Sequence, residues 1–380
     1  MSAVYMDYNA TAPVRPEAIQ AMAEAMAAGG NPSSVHAAGR AARARIEAVR
    51  EQVAELAGAP AAGVVFLSGG TEANGLAIDS AVGAGTRRLI ISATEHPSVV
   101  DTARASGAGV EVMPVGADGV GDLAWLAARL ANWDAAEGPP FVALMLANNE
   151  TGVIQPIAAA AELVHGAGGW LHVDAVQAAG KIAFDMAALG ADTLSLSAHK
   201  LGGPQGVGAL VAGSRARLTR RQQGGGQERG YRGGTENGPG IAGFAAAAHA
   251  ARRDLEALGA QAGWRAAAVA RLTAVGAVEV AAHAPRLANT LCLATPGWAS
   301  DLQVMALDLA GVMVSAGAAC SSGKVKASLV LSAMGLDDLA DCVIRISGGW
   351  ATREADWNRF ADAWLEAHRH HAAHRRATAA

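Results

Sequence analysis

From about residue 60 to residue 215, apolar stretches of strand length alternate with longer helix-like segments. Val64 to Leu67, Leu89 to Ser92, Val110 to Met113, Phe141 to Leu146, Trp170 to Val173, Thr193 to Leu196 and Val207 to Val211 read as strands. Between several of them lie helical patterns such as Glu72 to Ala84, Ser98 to Ala105 and Ala158 to Gly166. This alternation argues for an α/β layer with a largely parallel sheet. Upstream, the helix-like run Ala37 to Ala57 stops at Gly58-Ala59-Pro60. A glycine-rich stretch, Gly224 to Gly240, interrupts the middle of the chain. Beyond about residue 250 the texture changes to an Ala-rich helical run, followed by strands at Asn289 to Leu293 and Val343 to Ser347. A second, smaller α+β domain is expected there.

The polar residues that stand out fall just after the strands. Ser68-Gly69-Gly70-Thr71 follows Leu67, Glu95-His96 follows Ser92, and Asn148-Asn149-Glu150 follows Leu146. Asp174 follows Val173, and His199-Lys200 follows Leu196. Open parallel α/β sheets bind ligands outside the carboxyl ends of their strands. Five such positions in one chain converge on one sheet edge and point to a single site.

Composition narrows the classes. A chain of 380 residues with 51% hydrophobic content can bury a large core and more than one structural unit. A net charge of −4 gives no long-range attraction to nucleic acid or an anionic membrane. The start, Met1 to Asp7, lacks a basic region followed by a long apolar one, so no secretory signal is expected. No apolar run is long enough to span a bilayer, and a cytoplasmic location is the expectation. The three cysteines, Cys292, Cys320 and Cys342, are too widely spaced for a disulfide framework or a zinc site. The basic, His-containing tail from His368 reads as a frayed helix end rather than a metal site.

Lys200 and Asp174 carry the most chemistry. A lysine able to form a Schiff base and an aspartate able to pair with a pyridinium nitrogen are the two groups a pyridoxal-phosphate enzyme most needs. Lys200 alone would read as a solvated surface lysine, but it follows an apolar strand and precedes Gly202-Gly203-Pro204, as in a cleft. Gly69, Gly70 and the Thr71 hydroxyl at a strand-to-helix turn can cradle a phosphate; an ordinary cap, with Thr71 as N-cap, is the plain alternative. His96 can stack on a planar group and move protons near neutral pH. The stretch from Gly224 to Asn237 mixes Arg, Thr and Asn among its glycines, which suits anion binding better than a plain linker. Small residues flank Cys320, as in an accessible loop presenting a thiolate, whereas Cys292 and Cys342 sit in or beside strands as inert core thiols. Arg345, before Ser347-Gly348-Gly349, can clamp a carboxylate by a two-point bond.

Together these motifs resemble the NifS/IscS-like cysteine desulfurases, within the class V aminotransferase family of fold-type I pyridoxal-phosphate enzymes. The likeness runs from Tyr5-Met6-Asp7-Tyr8-Asn9-Ala10-Thr11 to about Ser347. It rests on Gly30 to His36, Gly70-Thr71-Glu72-Ala73-Asn74, Thr94-Glu95-His96, Asn148 to Gly152, His172-Val173-Asp174-Ala175, Ser197-Ala198-His199-Lys200, Arg232-Gly233-Gly234-Thr235 and Ala319-Cys320-Ser321-Ser322.

The resemblance implies a large cofactor-binding domain over 15–250 with a mostly parallel seven-stranded sheet. It implies a small domain from 1–14 and 251–380 that carries the catalytic cysteine loop. Lys200 would hold pyridoxal 5′-phosphate, Asp174 would pair with the ring nitrogen, and Gln177 would bond the phenolic oxygen. His96 would stack on the ring and assist proton transfer. Gly70, Thr71, Ser197 and His199 would bind the phosphate, and Thr235 would reach the phosphate of a neighbouring subunit, implying a homodimer. Asn149 and Arg345 would hold the substrate carboxylate. Cys320 would take sulfur from L-cysteine as a persulfide, leaving L-alanine, and pass it to an acceptor protein, a scaffold or a sulfurtransferase, in iron–sulfur cluster assembly or tRNA thiolation.

The chain departs from the family at Gln205, where lysine is frequent, at Trp350, where arginine is frequent, and in the tail after about Asp356. These departures bear on the sulfur acceptor. A selenocysteine lyase or cysteine sulfinate desulfinase of the same family is the alternative enzyme. A catalytically silent scaffold of the same fold is the alternative from another class; it would need none of Lys200, Asp174, His96 and Cys320.

Overall fold

The computed structural model describes residues 3–317 and 327–379, so Cys320 lies outside the described residues. Seven strands, Val64–Leu67, Arg88–Ser92, Gly109–Met113, Phe141–Ala143, Trp170–Asp174, Thr193–Ser197 and Gly208–Ala212, build one sheet. Across the sheet the order is first, seventh, sixth, fifth, fourth, second, third. Gly208–Ala212 runs antiparallel to both neighbours, and every other pairing is parallel. The expected α/β architecture is therefore present. The order reverses between Arg88–Ser92 and Phe141–Ala143, and ligand crevices open at such switch points.

Strand side chains alternate between the two faces. Val64, Phe66, Ile90, Val142, Leu171, Val173, Leu194 and Leu196 join one core with Leu126, Ile157 and Val164. On the other face, Leu89, Ile91 and Phe141 meet Ile78 and Val99, and Val65, Leu67 and Leu210 meet Leu76. Both faces are covered, which is why these strands read as continuous apolar runs. Two strands break that pattern on the second face. Leu171 and Val173 alternate with His172 and Asp174, and Leu194 and Leu196 with Thr193, Ser195 and Ser197. A buried polar stripe results, facing the helix Gly70–Gly83.

The strand expected over Phe141 to Leu146 ends at Ala143. Its hydrogen bonding continues nonetheless: Leu144 N–H donates to His172 O at 3.0 Å and Leu146 N–H to Asp174 O at 2.9 Å. The helix Ala37–Ala57 stops at Gly58, whose φ of 61° and bond to Ala54 O make a left-handed cap.

A second sheet of four strands runs Ser315–Ala316, Val343–Ser347, Thr290–Ala294, Val278–Glu279, all antiparallel. Its core contains Met6, Leu291, Ile344 and Ile346 with Trp357, Phe360 and Trp364 of the helix Glu354–Ala379. The first residues of the chain belong here. Val4–Tyr5 pairs in parallel with Val312–Met313, and Asp7 bridges to Ser347. The expectation of a frayed tail is corrected: the final helix continues to Ala379, because His368 stacks on Trp364 and His371 on Trp298, adding aromatic contact where the sequence shows only polar residues. Among the described residues, no helix is long and apolar enough to cross a membrane, and no cluster of His, Cys, Asp and Glu is arranged to hold a metal ion.

Candidate active site

A cavity of about 330 Å³ opens at the carboxyl ends of the strands. Lys200, His96, Asp174, Gln177, Asn149, Gly70, Thr71, Ser197, His199 and Arg345 all line it. Asp174 and Ser197 end strands of the large sheet, seven others come from the segments that follow its strands, and Arg345 comes from the second sheet. Thr235 does not reach this cavity. It lies exposed in the segment before the helix Gly238–Arg253.

Lys200 ends a short turn, Ala198–Lys200, directly after Thr193–Ser197. Its Nζ donates to Asn9 O at 2.6 Å and Ala10 O at 2.8 Å. Asp174 Oδ1 accepts from Val176 N–H at 2.9 Å, and Oδ2 from Asn74 Nδ2 at 2.8 Å. Gln177 Nε2 donates to Asn9 O at 2.9 Å, while its Oε1 accepts from Lys181 Nζ at 2.6 Å. Lys181 also donates to Asn9 Oδ1 at 2.6 Å. Burial, then the Lys200 and Arg345 charges, hold the Lys181 ammonium well below its usual range.

The helix Gly70–Gly83 points its N-terminus at the cavity. Its N-cap is Gly69, which offers no side-chain cap, so the alternative of Thr71 as N-cap is set aside. Thr71 instead sits in the first turn, exposed on the cavity wall. A Cβ on Gly70 would come within 2.8 Å of Val176 Cγ2, so only glycine leaves the cradle open. Uncapped amides at the positive end of a helix make an anion site, and Ser197 and His199 flank it. His199 Nδ1 lies 3.2 Å from Thr11 Oγ1. Burial and the Lys200 and Lys181 charges lower its pKa to about 4, so it is neutral near pH 7.

His96 caps the helix Pro97–Ala105, its Nδ1 accepting from Ser98 N–H at 3.1 Å. Burial lowers its pKa as well; Lys200 adds to that effect, and Asp174 and Asp101 oppose it. Arg345 lies opposite both Cys292 and Ser315 in the second sheet. Its Nη1 donates to Asn149 O at 3.1 Å and its Nη2 to Asp7 Oδ1 at 2.8 Å. Arg345 Nε is buried without a hydrogen-bond partner.

Asn9, Asn74, Ser98, His172 and Lys181 prove integral to the site, although none was assigned a role from sequence. The alternation at 171–174 and 193–197 carried a usable signal, since it places His172 and Asp174 on one face. Lys181 carried none, because Gly180-Lys181 reads as a surface turn. The glycine-rich stretch does not act on this cavity. Glu228 is buried against Arg50, Arg229 bonds the carbonyls of Ala62 and Val64, and Arg232 pairs with Glu72. Cys292 and Cys342 are buried and burial raises both thiol pKa values, as expected of inert thiols.

The aminotransferase class-V family model matches residues 4–360. A cysteine desulfurase of Cereibacter sphaeroides is 42% identical over 352 residues, covering 88% of this chain and 87% of that protein. Among solved structures, a NifS-like protein from Rickettsia africae ESF-5 superposes with a TM-score of 0.88 at 31% identity, covering 96% of this chain and 99% of that one. SspA in complex with cysteine superposes with a TM-score of 0.77 at 27% identity, covering 92% of this chain and 100% of that one.

Proposed function

The chain belongs to the aminotransferase class-V family, and from that premise we propose that it is a pyridoxal-phosphate-dependent cysteine desulfurase. L-cysteine and the Cys320 thiol are converted to L-alanine and a Cys320 persulfide. The substrate C–S bond breaks, an S–S bond forms to Cys320, and a proton takes sulfur's place on carbon. The Cys320 sulfur is oxidised as the substrate carbon is reduced, so no external redox partner is needed. The observation that carries this reading is the meeting of Lys200, Asp174 and His96 with the uncapped helix start at Gly70, in one cavity that Arg345 also lines.

The residues present fit pyridoxal phosphate. The Gly70 cradle, with Thr71, Ser197 and His199, suits the phosphate; Asp174 suits the ring nitrogen; Gln177 suits the phenolic oxygen; Lys200 supplies the anchoring amine. When bound, the cofactor supplies a carbonyl that captures an amine and a ring that draws electrons from the adjoining carbon. Arg345 and Asn149, which both line the cavity, orient the substrate carboxylate. His96 covers the ring. Ser315, paired with Arg345, precedes Cys320 by five residues, and five residues reach at most ~18 Å, which supports delivery of the Cys320 thiol to this cavity.

The assembly is a homodimer in which the exposed Thr235 completes the partner's phosphate site. Exposed apolar side chains support this: Ile19 is 57% accessible, Met26 60% and Val35 88%. The persulfide passes to an acceptor protein.

The test is release of alanine and sulfide from L-cysteine by cofactor-loaded protein in the presence of excess reducing thiol, which reduces the persulfide to free sulfide, with Cys320→Ala in parallel. Both products in equal yield, lost in the variant, are expected. Alanine release that survives the variant would replace this reading with a lyase in which the cysteine is dispensable.

A further inference from the structure

Asn74 joins His172 directly, and His96 through Ser98, to Asp174, and the direction of every bond can be worked out. A carboxylate only accepts, so the group that Asn74 presents to Asp174 Oδ2 at 2.8 Å is its NH₂. The second N–H of that amide points at Ser98 Oγ, 2.9 Å away. Asn74 Oδ1 is therefore the atom facing His172 Nε2 at 2.9 Å, and His172 must carry its proton there. His172 Nδ1 then accepts from Thr193 Oγ1 at 2.9 Å. Burial drives the His172 pKa down to about 4, in keeping with one proton on the ring.

The same logic reaches His96. With its oxygen accepting from Asn74, Ser98 turns its own proton to His96 Nδ1 at 2.8 Å. A second line of evidence agrees. The Ser98 backbone N–H, which can only donate, points at the same Nδ1 at 3.1 Å. Two donors aimed at one nitrogen leave no room for a proton on it.

We propose that Asn74 and Ser98 are positioning residues that hold neutral His96 as the tautomer protonated on Nε2, so that His96 meets the cavity as a hydrogen-bond donor. Asp174 sets the direction of this chain, and one carboxylate thereby fixes the tautomers of two histidines. The assignment stands on the chain's own geometry. Its consequence for proton movement over the cofactor rests on the proposed function. A hydrogen bond donated to the neutral ring disfavours its protonation. Among the described residues, the charged groups acting on His96 are Asp174, Lys200 and Asp101, and they are the same in the variants below.

The experiment is ¹⁵N NMR of histidine-labelled full-length protein, cofactor-free and cofactor-loaded, with His96 assigned by His96→Gln. A pyrrole-type Nε2 and a pyridine-type Nδ1 are expected for both His96 and His172. Ser98→Ala should move His96 Nδ1 towards the unbonded pyridine position and raise the His96 titration midpoint, leaving His172 unchanged. Asn74→Ala should disturb both histidines; if that variant fails to fold, Ser98→Ala still decides. A pyrrole-type Nδ1 on His96 in the unaltered protein would overturn the proposal, as would a His96 midpoint and Nδ1 signal that Ser98→Ala leaves in place. Absence of a visible band on adding pyridoxal phosphate would count against the proposed function instead, and would leave the cofactor-free spectra to judge the tautomer.

Discussion

Arg345 Nη2 sits 2.8 Å from Asp7 Oδ1, joining residues 338 positions apart in the chain. Asp7 Oδ2 accepts in turn from Ser315 Oγ at 2.7 Å. The guanidinium is thus pinned on one edge while its Nε keeps a buried, unused donor. Under the proposed function the substrate carboxylate meets this guanidinium, and lysine cannot reproduce its fork. Arg345→Lys should raise KM for L-cysteine by about 10- to 100-fold, the worth of one charge-assisted hydrogen bond. Steady-state kinetics check this; an unchanged KM in a folded variant would assign Arg345 a purely structural role.

Lys181 fixes which end of Gln177 faces the cavity. With Lys181 Nζ on Oε1 at 2.6 Å, the amide must turn its NH₂ away, towards Asn9 O and the cavity. Lys181→Met should let the amide turn over, weakening pyridoxal-phosphate binding by about tenfold, or ~1.4 kcal/mol. It should also shift the pH midpoint of the visible band of the bound cofactor. In a Gln177→Ala background the same change should add nothing, because Lys181 acts through Gln177. Independent, additive effects would separate the two residues.

Glu95 sits fully buried beneath the site, where burial and then the Asp174 charge push its pKa up to about 8. Folded Glu95 stays protonated while the unfolded chain ionises from about pH 4.5 upward. Stability therefore falls, by up to ~1.4 kcal/mol per pH unit, as pH rises towards 8. Glu95→Gln keeps an acceptor for the Met145 N–H, which bonds Oε1 at 2.5 Å, and removes this dependence. The melting temperature of the variant should exceed that of the unaltered protein by little at pH 5 and by progressively more up to pH 8. His172 and His199, each lowered to about 4, act oppositely. They cost stability as pH falls from about 6.5 to 4, in both proteins alike. A constant gap across pH 5 to 8 would refute the Glu95 assignment.

Glu228 of the glycine-rich stretch is buried. Its carboxylate accepts from Arg50 Nη1 at 2.8 Å, Arg50 Nη2 at 2.9 Å and Phe66 N–H at 2.8 Å. Glu228→Ala should cost about 3–5 kcal/mol, since it strands a buried guanidinium. Denaturant unfolding measures it. Replacing both partners, Arg50→Met with Glu228→Leu, should recover most of that loss. A cost below 1 kcal/mol in the single variant would show the pair to be solvated.

What could be read before the fold was known follows from period and position. Residues that end strands announced themselves, and Lys200, Asp174, His96 and Asn149 do line one cavity. The seven main strands and the helices between them were visible as apolar runs, because both sheet faces are covered. Residues that act across long sequence gaps were hidden. Asn9 reaches the site only because its segment lies beside Ser347, and Lys181 only because Asn9 and Gln177 surround its amine. Two-residue strands such as Val4–Tyr5 and Val312–Met313 carry no periodicity to detect. In the glycine-rich stretch the partners of the arginines were hidden too: Arg229 bonds the carbonyls of Ala62 and Val64, and Arg232 pairs with Glu72.

The bridge between Asp7 and Ser347 also dictates when the site can come into being during synthesis. The large sheet is complete in sequence by residue 212, and domains form as they emerge from the ribosome. Asn9, the shared acceptor for Lys200 and Lys181, and Asp7, the anchor of Arg345, wait for a strand made some 130 residues later. On the roles proposed above, a nascent chain therefore displays the phosphate cradle long before it owns a substrate clamp.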